Sequence, residues 1–142
     1  MASYNKIQSF VENVAEKVHN LGADTLKVML VNSPAPVATN TVKADLTEIS
    51  AGNGYTAGGT QATISSSAQT SGTYKLVVAD VVFTAAGGTI GALRYAVFYN
   101  DTPTSPADPL IAWHDYGSSI TLADTETFTY DADASAGILT IA

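Results

Sequence analysis

The sequence contains no cysteine, so disulfide bonds, thiolate metal ligands and cysteine nucleophiles are all excluded. It is also poor in basic charge: six lysine and arginine residues stand against 13 aspartate and glutamate residues, which gives a formal net charge of -7. Because a negative chain is repelled by nucleic acid and by anionic lipid, we expect no direct contact with nucleic acid or with a membrane. Long apolar runs are missing as well, so the sequence predicts no membrane-spanning helix.

No basic segment followed by an apolar run opens the chain, so we expect synthesis in the cytoplasm without a secretory signal. The length of 142 residues suits a single domain covering 1–142, which is large enough to bury a core without disulfides or metals. No internal repeat and no separable linker is visible in the sequence.

Helical periodicity occurs only near the N-terminus. Apolar residues recur there at steps of three and four, at Ile7, Phe10, Val11, Val14, Val18 and Leu21. Gly22 follows as a left-handed terminator, so the spacing predicts one amphipathic helix within residues 1–22. Periodicity leaves two roles open for this helix: it docks onto a partner, or its apolar side chains cap the core of the remaining domain.

A period of two replaces the helical pattern after residue 22. Leu26, Val28 and Leu30 alternate with their neighbours before a turn that contains two prolines. Later segments rich in β-branched and aromatic residues are separated by glycine and proline turns, and they predict strands at 60–65, 74–83, 93–99, 110–116, 119–122, 125–130 and 138–141. The pattern predicts an antiparallel, jelly-roll-like β-sandwich over residues 23–142, with 93–99 as its most central strand.

Two loops carry most of the remaining information. The glycine-rich stretch 50–60 holds one tyrosine, Tyr55, which we expect to be exposed, and no catalytic group. The polar stretch 37–49 is ambiguous, because 45–48 fits either a helical turn or a loop. The Gly-Asn-Gly motif at 52–54 has the spacing of a dinucleotide fingerprint, but a strand rather than a phosphate-binding helix follows it. We therefore expect no cofactor.

A histidine, an acid and two serines lie close together in the sequence at His114, Asp115, Ser118 and Ser119. A nucleophilic triad needs serine, histidine and carboxylate to converge, whereas neighbours on a strand point to opposite faces. No Gly-x-Ser-x-Gly elbow surrounds any serine. The sequence therefore predicts no catalytic residue and a protein that is not an enzyme.

Asp131, Asp133 and Ser135 have the rhythm of the first ligands of a calcium loop. The twelfth position, where a bidentate glutamate is required, is Ala142, so a solvated acidic turn is the better interpretation. The two histidines, His19 and His114, lie in different elements, and spacing alone defines no transition-metal site for them. We expect no bound metal.

Four segments together resemble a family of small structural proteins of tailed bacteriophages: 24–30, 52–59, 94–99 and 109–112. Their motifs, in the order ADT-L-V-L, G-GYTAGG, RYAV-Y and PLI after an N-terminal helix, span most of the chain. The resemblance implies a β-sandwich virion protein without catalytic residues, located on the capsid surface after synthesis in the host cytoplasm. The chain departs from similar sequences at 37–49 and 103–109, where contacts with a partner would differ.

The role that this resemblance implies is that of a capsid decoration (cement) protein, which binds the major capsid protein on the outer capsid surface. The symmetry axes of a shell favour a homotrimer. The candidate partner-contact residues are Ile7, Phe10, Val14, Tyr55, Trp113 and Tyr116. A tail-associated virion protein and a glycan-binding module are the alternatives, the latter with Tyr55, Trp113 and Tyr116 stacking on sugar rings; a hydrolase is a distant third.

Overall fold

Antiparallel β-strands are the main secondary structure of the protein, as the sequence predicts. The computed structural model describes residues 3–142 and is mainly β, with 48% of residues in strands and 7% in helical conformation. In chain order the elements are β1 (Ser3–Lys6), α1 (Ser9–Ala15), β2 (Leu26–Val31), a 3-10 turn (Lys43–Asp45), β3 (Thr60–Gln61), β4 (Ile64–Thr70), β5 (Thr73–Val78), β6 (Val81–Thr84), β7 (Ile90–Asn100), β8 (Leu110–Leu122), β9 (Thr127–Tyr130) and β10 (Leu139–Ile141).

Three antiparallel sheets share one hydrophobic core. The central sheet has five strands in the order β1-β8-β7-β2-β3, and the two smaller sheets have the orders β10-β5-β4 and β6-β9. One contiguous cluster of buried apolar side chains includes Leu30 of the central sheet, Leu76 of the three-stranded sheet and Phe83 of the two-stranded sheet. The arrangement is therefore sandwich-like, because side chains of separate sheets pack against one another.

The β7 strand lies at the centre of the fold. It pairs with β2 on one side and with β8 on the other, and every residue from Tyr95 to Asn100 is buried. A strand that is covered on both faces needs apolar side chains at the odd and at the even positions, because these point to opposite faces. The sequence Tyr-Ala-Val-Phe-Tyr has apolar or aromatic residues at both. The prediction that 93–99 forms the central strand is confirmed.

The N-terminal helix is much shorter than predicted. Of the range 1–22, residues 1 and 2 lie outside the described part, Ser3–Lys6 form β1 and only Ser9–Ala15 are α-helical. Residues of β1 pair with β8, because the edge of that strand offers backbone hydrogen bonds which the first turn of a helix lacks. At the other end the positive φ of Lys17, 64°, ends the helix. Among the described residues, no helix is long and apolar enough to cross a membrane.

The largest differences from the predicted strand boundaries occur in three places. The predicted strand 74–83 is two strands, β5 and β6, and between them Asp80 Oδ1 accepts the N–H of Ala132 at 2.9 Å. Gly117, expected to separate two strands, lies within the continuous β8 with a φ of 103°. The predicted strand 60–65 misses most of β4, because the serine-rich sequence of β4 does not alternate between apolar and polar residues.

A buried polar network joins the segment after α1 to the end of β7. Asn100 Oδ1 accepts the N–H of Thr102 at 3.1 Å, which fixes the orientation of the amide. The amide nitrogen then donates to His19 Nδ1 at 3.1 Å and to Asp24 Oδ2 at 2.6 Å. Burial lowers the pKa of His19 from 6.5 to about 4, against a smaller opposite effect of Asp24. The imidazole is therefore neutral in the folded protein at pH 7.

We expect His19 to make the protein sensitive to acid. Its pKa is lower in the folded protein than in the unfolded chain, so the unfolded chain takes up the proton first as the pH falls. The free energy of unfolding should therefore decrease by about 3 kcal/mol between pH 7 and pH 4, as urea unfolding followed by circular dichroism would measure. His114, whose pKa burial also lowers, acts in the same direction. A His19→Gln variant should show a smaller slope, and an unchanged slope would contradict the assignment.

Candidate functional site

Tyr55 is not at the surface, and its side chain is 3% exposed. Its hydroxyl donates to Glu48 Oε1 at 2.6 Å and accepts the N–H of Leu30 at 3.0 Å. Next to it, Ile49 donates its N–H to the carbonyl of Leu30 at 3.0 Å. Burial, and then the hydrogen bond to Glu48, raise the pKa of Tyr55, so the hydroxyl keeps its proton. The expectation that Tyr55 is an exposed contact residue is wrong. Its hydroxyl accepts a backbone N–H of β2 that a neighbouring strand would otherwise accept, and this contact buries the side chain.

The glycines of the same loop bring it against the central sheet. The amide of Gly58 donates to Glu48 Oε1, and its carbonyl accepts the hydroxyl proton of Tyr99, both at 2.6 Å. A Cβ on Gly59 would lie only 1.9 Å from the carbonyl oxygen of Val28. The Gly-Tyr-Thr-Ala-Gly-Gly motif at 54–59 therefore fastens the loop to β2 and β7.

A variant that lacks only the hydroxyl of Tyr55 would show how much its two hydrogen bonds stabilise the protein. The Tyr55→Phe variant leaves the N–H of Leu30 without its partner and removes a hydrogen bond to a partly buried carboxylate. We expect the free energy of unfolding to fall by about 2 to 3 kcal/mol. Tyr116→Phe is the matched control, because that ring is 49% exposed, and it should change stability by less than about 0.5 kcal/mol. Equal stability of the two variants would contradict the account of the loop.

Three other predicted partner-contact residues contribute to the core. Ile7 is fully buried, Phe10 is 4% exposed, and Val14 packs against the same cluster from a partly buried position. A buried side chain presents no surface to a partner, so the assignment of Ile7 and Phe10 as contact residues is wrong. Of the two roles that periodicity leaves open, the structure shows the second: the N-terminal segment caps the core.

Trp113 and Tyr116 lie on opposite faces of β8, because residues three apart on a strand point in opposite directions. Trp113 is partly buried against the core, opposite Val97 of β7. Tyr116 is exposed, and Tyr55 is buried under its own loop. The three side chains therefore form no common stacking platform, and only Tyr116 is well exposed.

Tyr116 instead belongs to a groove of about 730 Å³ between β8 and β9. We call it the aromatic groove, and its lining includes His114, Tyr116, Ile120, Phe128 and Tyr130. The rings of Tyr116 and Phe128 meet edge to face with centroids 5.7 Å apart, and those of His114 and Tyr130 do so at 5.1 Å. Sequence reasoning missed this set, although aromatic residues at positions i and i+2 of both strands signal a shared face.

His114 is the central polar group of the aromatic groove. The hydroxyl of Tyr130 lies 3.1 Å from His114 Nδ1, and the ring of Tyr4 packs edge-on at 5.3 Å. Burial lowers the pKa of His114 and raises the pKa of Tyr130, so both groups are neutral at pH 7. In either neutral tautomer of His114, Nδ1 shares one hydrogen bond with the hydroxyl of Tyr130. The lining also includes the carboxylates of Asp131 and Asp133, so the groove combines aromatic faces with hydrogen-bond acceptors, which suits a ligand rich in hydroxyl groups such as a sugar ring.

The side chains considered for a catalytic triad have separate partners. Asp115 binds Arg94 through hydrogen bonds of 2.8 and 3.0 Å, and that bond, followed by the N–H of Gly117, lowers its pKa. Ser119 Oγ donates to Asn32 Oδ1 at 2.8 Å. Since His114 bonds Tyr130, the histidine, acid and serine do not form one hydrogen-bonded chain.

The acidic turn after β9 binds its own backbone. Asp133 Oδ1 accepts the N–H of Ala136 at 3.0 Å and that of Ser135 at 2.7 Å, and these bonds lower the pKa of the carboxyl. Over residues 3–142, no group of three or more histidine, aspartate or glutamate side chains is placed to hold a metal ion. A solvated turn remains the interpretation of this segment.

Two loops form a second exposed feature, next to each other in space. Val42 and Pro109 form an antiparallel bridge, flanked by hydrogen bonds from Lys43 N to Asp108 O at 2.9 Å and from Leu110 N to Thr41 O at 3.0 Å. We call residues 37–49 and 103–109 the paired-loop surface. The stretch 37–49 is loop apart from the 3-10 turn Lys43–Asp45, which lies earlier in the chain than the helical turn considered for 45–48.

Comparisons with protein-family models, with curated proteins and with solved structures find no match to the chain. The resemblance to structural proteins of tailed bacteriophages therefore stays a prediction that depends on the four segments described above.

Proposed function

We propose that the protein is a bacteriophage capsid decoration (cement) protein, which binds the outer capsid surface and reinforces contacts between subunits of the major capsid protein. The observation that carries this proposal is the position of the two segments in which the chain departs from the sequences it resembles. Both form the paired-loop surface, although about 60 residues separate them in sequence. The segments that carry the resemblance build the central sheet and the loop fastened to it.

A shared scaffold with one divergent surface is expected of proteins that keep an architecture and contact different partners. The paired-loop surface suits a protein contact because it combines exposed uncharged residues with a few charges: Val37 is 51% exposed, residues 104–107 are all exposed, and the charged residues of the two segments are Lys43, Asp45, Glu48 and Asp108. Contacts of modest strength are sufficient on a shell, since many copies bind a repeating lattice. A homotrimer on a symmetry axis of the shell stays a prediction from the resemblance.

Co-sedimentation with capsids that lack the protein tests this proposal. We expect saturable binding, and we expect Val37→Glu to weaken it at least tenfold, because a charge would be buried in the contact, which costs more than about 1.4 kcal/mol. Val82→Glu is the matched control: Val82 is 50% exposed, and its substitution adds the same charge in β6, away from the paired-loop surface. Equal binding by both variants would mean that the paired-loop surface does not contact the capsid. No binding by the unaltered protein would contradict the decoration role.

A glycan-binding role is the second candidate, and the exposed aromatic ring of Tyr116 in the aromatic groove favours it. On a glycan array, this role predicts saturable binding that is lost in Tyr116→Ala. The control is Trp113→Phe, which changes a ring on the other face of β8 and should leave binding intact. Loss of binding in both variants would indicate damage to the strand rather than a contact with the sugar.

A further inference from the structure

The outer edge of β4 is a strand edge without the usual protection. β4 is the last strand of the sheet β10-β5-β4, and its residues from Ser65 to Thr70 are all exposed. Proteins usually protect such edges with charged residues or proline. Here the whole stretch 49–74 contains neither a charged residue nor a proline. An edge without these features is open to pairing with another strand.

The register shows which backbone groups face outward. Ser71 and Gly72, with φ values of 50° and 84°, form a two-residue hairpin loop that is closed by the pair Thr70 and Thr73. The two residues that flank such a loop exchange backbone hydrogen bonds, so the N–H and C=O groups of Thr70 are directed toward β5. Because the direction alternates along a strand, the N–H and C=O groups that are directed away from β5 belong to every second residue before Thr70, starting with Gln69. These residues are Gln69 and Ser67.

An independent contact supports this assignment. Ser67 lies opposite Leu76 of β5, and the carbonyl of Leu76 accepts the N–H of Ile138 at 2.8 Å on the far side of β5. The backbone of Leu76 is therefore directed away from β4, as expected of a pair that is not hydrogen-bonded. The N–H and C=O groups of Ser67 are consequently directed toward the free edge.

We propose that β4 pairs with the β4 strand of a second copy of this chain, antiparallel and around a two-fold axis at Ala68. The regular part of β4 runs from Ser66 to Thr70, because a bulge interrupts the ladder between Ile64 and Ser66. Ala68 is the midpoint of that part. Two copies related by the axis place Ser67 opposite Gln69 of the second copy, and these residues exchange four hydrogen bonds in total.

The side chains fit this pairing. Ala68 meets its own copy, and a pair that is not hydrogen-bonded brings two Cα atoms to about 4.5 Å, where a small side chain is favourable. Ser66 meets Thr70 of the second copy, a pair of hydroxyl side chains that hydrogen-bond across strands. No charged side chain enters the contact, so two chains of net charge -7 approach each other through an uncharged edge.

A second copy of the chain is the partner that this geometry favours, because Ser67 and Gln69 of one copy pair with Gln69 and Ser67 of the other. A two-fold axis gives a dimer whose three-stranded sheets join into one six-stranded sheet. The inference does not depend on the proposed function, and it differs from the trimer that shell symmetry favours. Short strands bury little area, so we expect a weak dimer in solution that covalent capture detects.

Cysteine variants test the pairing, since the natural chain has no thiol that would interfere. Under oxidised glutathione, Ala68→Cys should form a disulfide-linked dimer at least about tenfold faster than Ser67→Cys or Gln69→Cys alone, because the axis holds residue 68 opposite itself. A mixture of Ser67→Cys with Gln69→Cys should cross-link rapidly as a heterodimer. All three positions are exposed, and circular dichroism would confirm that the folds are unchanged.

A proline variant provides a second measurement without cross-linking. Ser67→Pro removes an outward N–H that bonds no other described backbone group and one exposed hydrogen bond between Ser67 Oγ and the hydroxyl of Tyr74. The fold should tolerate both losses while the pairing is lost, and circular dichroism would confirm the fold. Combined with Ala68→Cys, it should slow disulfide formation to the rate of Ser67→Cys alone. Equal rates for Ala68→Cys, Ser67→Cys and Gln69→Cys would overturn the proposal. So would an unchanged rate of Ala68→Cys cross-linking in the Ser67→Pro variant.

Discussion

Deletion of residues 1–20 should unfold the protein rather than release an intact β-domain. The deleted segment contains β1, which pairs with β8, as well as Ile7 and Phe10, which are buried in the core. Burial of two such side chains contributes about 3 to 6 kcal/mol, a large share of the net stability of a typical domain. Far-ultraviolet circular dichroism and thermal unfolding of the truncated chain would measure the effect.

Neighbouring point variants provide the control for this deletion. Phe10→Ala should lower the free energy of unfolding by about 3 to 5 kcal/mol, because it leaves a cavity in the core. Val11→Ala, at the next position, changes a side chain that is 54% exposed and should cost less than about 0.5 kcal/mol. A truncated chain that still unfolds cooperatively would mean that the N-terminal segment is an appendage.

Gly59→Ala should also be severely destabilising. The residue has a φ of 78°, and its new Cβ would lie 1.9 Å from the carbonyl oxygen of Val28 and 2.7 Å from the Cα of Met29. Both obstacles are backbone atoms in the central sheet, so the loop has to leave the sheet and break the contacts of Tyr55 and Gly58. We expect a loss of more than about 3 kcal/mol in the free energy of unfolding.

The matched control for this substitution is Gly72→Ala in the hairpin between β4 and β5. Gly72 has a similar φ of 84°, but apart from the residue itself and its two chain neighbours no atom lies within 4 Å of the position that a Cβ would take there. Only the left-handed backbone is then unfavourable, which costs about 1 to 2 kcal/mol. If urea unfolding gave the two variants equal stability, the close approach of Gly59 to β2 would not be what requires glycine at this position.

Much of the fold follows from the sequence because its signals are local. Alternation of Leu26, Val28 and Leu30 identifies β2, and two complementary apolar sets identify β7 as central. β1 and β4 escape prediction for a common reason: their polar residues become strands only because a neighbouring strand offers hydrogen bonds. Strand pairing of this kind is a tertiary effect that local propensity does not contain.

The sites were harder to predict than the fold, again for a physical reason. Tyr55 follows a glycine and precedes a threonine, which is typical of an exposed loop, yet the edge of β2 provides a partner for its hydroxyl. The reverse holds for the paired-loop surface, whose two segments come together through the bridge between Val42 and Pro109. Neither contact has a sequence signal, because both depend on where distant segments meet.

The aromatic groove, the paired-loop surface and the edge of β4 lie on different elements, so one copy has separate surfaces for separate contacts. In the proposed role, the paired-loop surface contacts the capsid. Pairing through β4 would link neighbouring copies, and linked copies bind a lattice more tightly than single ones. The groove is then free for a further ligand.

Electron microscopy of capsids that lack the protein, before and after its addition, tests the central claim most directly. We predict new density that repeats over the capsid lattice, with residues 37–49 and 103–109 facing the major capsid protein. Density confined to the tail would contradict the decoration role and support a tail-associated protein. An absence of added density would contradict both positions on the virion.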